Sequence, residues 1–176
     1  QHAIRDAQES RGLGDVYKRQ DNNIIMVENL YNERILELAA TLSKVGRLEN
    51  AEFSSEAISR LCGSKVTVDI EISGNKINNF SHIVKACALG QASSSVMAKK
   101  IIGTDINELL DLKIRMKEML KDDGPPPSGK WSDLEVLQPV KDYKGRHSSV
   151  LLTFDAVEDC INQYLSKSQK PSGELL

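Results

Sequence analysis

The stretch Lys65–Ser73 constrains the fold more than any other part of the chain. Val66, Val68, Ile70 and Ile72 alternate with Lys65, Thr67, Asp69 and Glu71. A period of two puts the β-branched side chains on one face and the polar ones on the other, as in a strand with one buried and one wet side. Burial on one side only favours an antiparallel sheet covered on a single face. Gly74-Asn75 follows as a two-residue hairpin signal. The return strand runs from Lys76 to about Ala86, with Ile77, Phe80 and Ile83-Val84 spaced less regularly. Cys62 precedes the first strand and Cys87 follows the second. Antiparallel pairing therefore brings both cysteines to the same end of the hairpin.

Helical periodicity surrounds this hairpin. Leu30, Ile35, Leu38, Ala39 and Leu42 recur at three- and four-residue steps around Tyr31, and Gly46 reads as the stop. Leu48 to Ser59 is polar and small, a weak strand or a loop. After Cys87 the residues are small through Ser93-Ser94-Ser95, and Val96, Ala98, Ile101 and Ile102 carry a helix to Gly103. Another helix starts at Thr104 or Asp105 and runs to Leu120, with Asp105 and Glu108 spaced as a capping pair. Asp122–Gly129 breaks it as an exposed loop with a solvated Asp122-Asp123 pair. Trp131, Leu134, Val136, Leu137 and Val140 form a short apolar segment, anchored by Trp131. The last helix begins near Ser148 and frays after Ser166. The expected class is α+β: a small antiparallel β-sheet with helices packed on one face.

Composition excludes several functions. A net charge of −2 gives no electrostatic case for nucleic acid or an anionic membrane surface. No apolar run approaches a membrane span, and no secretory signal is visible. Three cysteines, Cys62, Cys87 and Cys160, are too sparse for a disulfide framework and point to a reducing compartment, here the cytoplasm.

The front of the chain reads differently. Residues 4–20 resemble a translated sequencing adaptor: Ser10–Gln20 spells the transposase end (SRGLGDVYKRQ), and Ile4-Arg5-Asp6 fits the flow-cell end. Residues 1–25 are expected to be an adaptor-derived or disordered tail, with Met26 a candidate native start. The domain is expected over 26–166 with a loop insertion at 122–138, and a frayed tail over 167–176.

Chemistry concentrates at the two hairpin cysteines. Cys62-Gly63 sits where glycine permits a tight, exposed backbone. Cys87 opens a helix whose free amides and dipole favour an anion. Two soft ligands at one end of a hairpin suit iron, zinc or sulfur, yet two ligands alone equally describe two small hydrophobes. Zinc and iron–sulfur sites ordinarily take about four. His147 reads more readily as a surface histidine beside Arg146 than as the base of a Cys–His pair. Cys160 reads as core, as do Met116 and Met119, which would also suit a partner-facing patch. His82 lies in the return strand with its face undetermined.

Leu61-Cys62-Gly63-Ser64 and Ala86-Cys87-Ala88-Leu89-Gly90-Gln91-Ala92-Ser93-Ser94-Ser95 resemble two motifs of the iron–sulfur cluster assembly scaffolds, the IscU, SufU and NifU N-terminal-domain family. Val140, Tyr143 and Arg146 are similar to the approach to that family's third cysteine, and the inserted loop looks closest to SufU. The resemblance spans roughly Tyr31 to Leu165. It implies a scaffold without turnover of its own, or a SufU-like sulfur-transfer accessory. The implied cargo is a labile iron–sulfur cluster or iron, with zinc as the SufU variant. A cysteine desulfurase and a cluster acceptor or chaperone are the implied partners, and a homodimer is allowed. Cys62 and Cys87 are the implied ligands, with His147, Ser149 and Ser64 candidates for the remaining positions. Ser64 stands where the family pattern carries aspartate, and Ser149 where it carries the third cysteine. A serine hydroxyl stays protonated at neutral pH and is a poor metal ligand. These departures motivate a rival reading, a protein–protein module on the same fold that builds no cluster.

Overall fold

The computed structural model describes residues 30–169. A unit boundary falls between Asn32 and Glu33, and the architecture below is that of Glu33 onward. Expectations that fall on residues 1–29 and 170–176, the adaptor-like stretch included, lie outside the described residues.

The elements run α1 (Glu33–Ala40), β1 (Phe53–Ile58), β2 (Lys65–Ser73), β3 (Lys76–Lys85), α2 (Ala88–Lys100) and α3 (Ile106–Lys121). A run of 3-10 turns (Gly129–Asp142), a short 3-10 helix (Lys144–Arg146) and α4 (His147–Ser168) complete them. The sheet has the order β1-β2-β3 and is antiparallel throughout. α4 packs on β1 and β2, while α2 packs on β3, α1 and α4. Val66, Val68 and Ile70 are fully buried, together with Phe154, Cys160 and Ile161 of α4. The class is α+β, as expected.

β2 has the bounds that its alternation implies. One of its polar positions departs from the expected wet face: Asp69 is buried. Arg47 donates to both its carboxylate oxygens, at 2.6 and 3.0 Å, and the Leu48 amide adds a third bond at 3.0 Å. A buried carboxylate is tolerable only when it is paired and hydrogen-bonded in this way.

The irregular spacing of β3 has a local cause. Glu71 pairs with Asn79 but Ile72 pairs with Ile77, so Asn78 is an extra residue in the ladder. A bulge of this kind lets Ile77 and Phe80, three residues apart, both face the core. His82 then lies opposite Val68 and is fully buried. Gly74 takes φ +59° in the tight turn before β3, a left-handed value that favours glycine.

The outer edge of β3 is covered at both ends, as exposed edges commonly are. α1 stops at Ala40, well before Gly46, because the following segment pairs with β3 instead of continuing the helix. His82 N donates to Lys44 O at 3.0 Å and Gly46 N to His82 O at 2.9 Å. At the other end Ile77 N donates to Thr104 O at 3.0 Å. Asp105 caps α3 by accepting from Asn107 N at 2.8 Å. Glu108 does not complete the cap; it accepts from the Trp131 indole at 2.7 Å and pairs with Lys130. Trp131 thereby anchors the 3-10 run. α4 continues past the expected end at Ser166 to Ser168.

Candidate functional site

Six residues, Ser59–Ser64, close the β1–β2 connection. Ser59 N donates to Ser64 O and Gly63 N to Ser59 O, both at 2.8 Å. Gly63 sits at φ +70°, which lets the chain reverse at the tip. Cys62 is exposed on this tip. On the neighbouring pair Lys65 lies opposite Lys85, so Cys87, two residues beyond β3, lies at the same end of the sheet. The topology inferred from the hairpin is therefore present.

α4 begins at this same end. Its Ser149 side chain is fully buried and stands 3.0 Å from the Cys62 sulfur. Ser64 Oγ is 3.1 Å and Ser59 Oγ 3.3 Å from that sulfur. Ser59 is in turn bonded to Ser148 Oγ at 2.7 Å. Three hydroxyls thus converge on one sulfur. A thiol owns a single proton and can donate only once, whereas a thiolate accepts from all three. If Ser148 donates to Ser59, the Ser59 proton is free for the sulfur. The consequence is a Cys62 thiol lowered from 9.0 to about 6, chiefly by the Ser149 hydroxyl, then by Ser59 and Ser64. Slight burial opposes the shift. Thiolate is the nucleophilic and metal-binding form of cysteine.

Cys87 is half-buried at the N-cap of α2, with an extended backbone and no side-chain cap bond. Its helix meets the Cys62 site through Gly90. A Cβ added at Gly90 would lie 3.0 Å from Ser149 O and 2.7 Å from Ala86 Cβ. The glycine therefore lets the first turn of α2 press against the first turn of α4. Ser149 touches both cysteine-bearing segments, by its hydroxyl on one side and its carbonyl on the other.

His147 is buried, not at the surface, despite its basic neighbours. Its Nε2 donates to the carbonyls of Val140 and Lys141, at 3.1 and 2.9 Å. That nitrogen ties the 3-10 run to α4 and is not available as a ligand. Cys160 is fully buried and pushed up to about 12 by burial, so it is a core residue. Met116 and Met119 are also fully buried. Among the described residues no three His, Cys, Asp or Glu side chains gather into a metal-holding group. Ser64 and Ser149 surround the Cys62 sulfur with their hydroxyls, at 3.1 and 3.0 Å. Ser59 and Ser148 join them, and no spacing rule pointed to Ser59, which lies far from Ser149 in sequence.

The family described as NifU-like N terminal domain matches residues 30–170. The chain belongs to this family. It is the iron–sulfur cluster scaffold family of IscU and SufU. This NifU-like domain is 22% identical over 134 residues to "Iron-sulfur cluster assembly scaffold protein IscU" of Thermotoga maritima, covering 76% of the chain and 94% of that relative. It is 25% identical over 97 residues to "Zinc-dependent sulfurtransferase SufU" of Bacillus subtilis, covering 55% of the chain and 66% of that relative. Among solved structures, a NifU-like N-terminal protein from Brucella abortus is 48% identical with a TM-score of 0.79, covering 81% of the chain and 99% of that structure. No helix among the described residues of this NifU-like domain is long and apolar enough to cross a membrane.

Proposed function

We propose that the protein is an accessory or scaffold of iron–sulfur cluster assembly in which Cys62 accepts sulfane sulfur. Cys62 and Cys87 then hold iron or a labile cluster as cargo. The observation that carries this reading is the Cys62 sulfur set among the Ser59, Ser64 and Ser149 hydroxyls. The thiolate attacks the outer sulfur of a donor persulfide, R–S–SH. The donor's S–S bond breaks, R–S⁻ leaves, and Cys62–S–SH forms with the proton on its terminal sulfur. No net oxidation occurs. The implied donor is a cysteine desulfurase, the implied recipient a cluster acceptor or chaperone, and the protein itself has no turnover. Free, sparse thiols suit a reducing cytoplasmic setting.

The donor set limits what one chain can hold. Two thiolates fall short of the four that a cluster takes, and the serines that replace aspartate and cysteine are weak ligands. The remaining positions on the cargo must come from sulfide, a second chain or the partner. This shortage favours a second reading, a protein–protein module that builds no cluster. It also weighs against a resident zinc of the SufU kind.

Anaerobic reconstitution with ferrous iron and sulfide tests the choice. The expected result is bound iron and sulfide with a visible charge-transfer band, lost in Cys62→Ala and in Cys87→Ala. A folded protein that binds neither would overturn autonomous cluster holding and leave the partner module in front.

A further inference from the structure

Beside the Cys62 loop lies a cleft of about 580 Å³ that the sulfur chemistry does not use. Its volume falls in the range of small-molecule sites, roughly 300–1,000 Å³. Leu120 and Leu151 are buried residues of its lining, and the exposed Leu61 also borders it. Four lysines line it: Lys117 and Lys121 from α3, and Lys141 and Lys144 from the 3-10 segments. Only one carboxylate, Asp155, shares the lining, and it is taken by Lys113 at 2.7 Å. Lys141 pairs with Asp123. Lys117, Lys121 and Lys144 have no acidic partner among the described residues. The chain as a whole carries a net charge of −2, so this concentration of unpaired positive charge is local and not a general property of the surface.

We infer that this cleft binds a small molecule carrying two or more carboxylate or phosphate groups. Lysines on separate elements can each meet a different anionic group, while the leucines take an apolar body. Ser148 also lines the cleft and is bonded to Ser59, which in turn reaches the Cys62 sulfur. The ligand would therefore sit two hydrogen bonds from the thiolate. This inference does not depend on cluster assembly and stands or falls separately.

Titration calorimetry of the full chain at low salt tests it, with citrate as the polycarboxylate, pyrophosphate as the polyphosphate and acetate as the single-charge control. The expected result is saturable one-site binding of citrate or pyrophosphate and none of acetate. Lys117→Gln with Lys144→Gln weakens it by about tenfold or more, while Lys99→Gln with Lys167→Gln, outside the cleft, leaves it unchanged. Citrate alone would name a carboxylate ligand, pyrophosphate alone a phosphate ligand, and either supports the site. Thermal unfolding checks that the exposed substitutions leave the fold intact. No saturable binding of either polyanion, or affinities indifferent to Lys117 and Lys144, would overturn it.

Discussion

Ser149→Ala probes the thiolate site most cleanly, because it removes one hydroxyl and leaves the backbone contact with Gly90 in place. The Cys62 thiol stands at about 6 in place of 9.0, a gain in acidity of about a thousandfold. Three hydroxyls carry most of it and Ser149 leads them, so its removal costs about tenfold or somewhat more, and the variant should titrate at about 7. At pH 7 the thiolate fraction then falls from about nine-tenths to about one-half. A rate at that single pH is a poor readout. Intrinsic nucleophilicity rises with pKa, by about threefold for a tenfold weaker acid, and more than offsets that loss of about twofold. The assay is therefore the full pH profile of Cys62 alkylation by iodoacetamide, followed by mass spectrometry of the Cys62 peptide. The two profiles should cross: the variant slower at pH 5.5, faster at pH 9, with its midpoint displaced upward. A variant midpoint unchanged near 6 would refute the assignment of Ser149 as the leading cause. A native midpoint near 9 would refute the hydroxyl cluster altogether.

Three further outcomes follow from the same contacts. Gly90→Ala forces a Cβ against the Ser149 carbonyl, which costs about 1–3 kcal/mol of overpacking against at most about 1 kcal/mol of helix propensity gained; urea unfolding reads the loss, and displacement of Ser149 should raise the Cys62 midpoint as well. Burial holds His82 below its ordinary 6.5, with the bond to Ser43 O opposing; its neutral form therefore stabilises fully above about 6.5, and stability falls as pH drops below that value. The fall in urea midpoint between about pH 7.5 and 5.5 should be smaller in His82→Leu than in the native chain. Burial pushes the Asp69 carboxyl up, but the bonds from Arg47, Ser54 and the Leu48 amide outweigh it and hold the group low. Stability from Asp69 is thus present above the ordinary carboxylate range and lost as pH falls, and Arg47→Ala should move acid unfolding, followed by circular dichroism, to higher pH.

Legibility in the sequence tracked the range of the forces involved. β2 was readable to its ends because alternation is local and one face is fully buried. β3 was blurred by Asn78, since a bulge shifts the apolar residues from even to odd spacing. α1 was overextended to Gly46 because the edge of β3 competes for the backbone of residues 43–46, and no local pattern announces that edge. The placement of Cys62 and Cys87 at one end of the sheet followed from hairpin topology alone. The serine cluster did not, because Ser59 and Ser149 meet only once α4 crosses back over the sheet. His147 looked exposed beside Arg146, yet its ring turns inward to the Val140 and Lys141 carbonyls, a satisfaction of backbone acceptors that charge patterning cannot reveal.

The central claim is that Cys62 accepts sulfur, and the most direct measurement follows that atom. The reduced protein is exposed anaerobically to a low-molecular-weight persulfide, trapped with an alkylating reagent, digested and mapped by mass spectrometry. The account predicts one added sulfur on the Cys62 peptide, formed faster than on the Cys87 or Cys160 peptides and slowed at pH 5.5 by Ser149→Ala. Sulfur found on Cys87 or Cys160 but not on Cys62, in a folded protein, would contradict it.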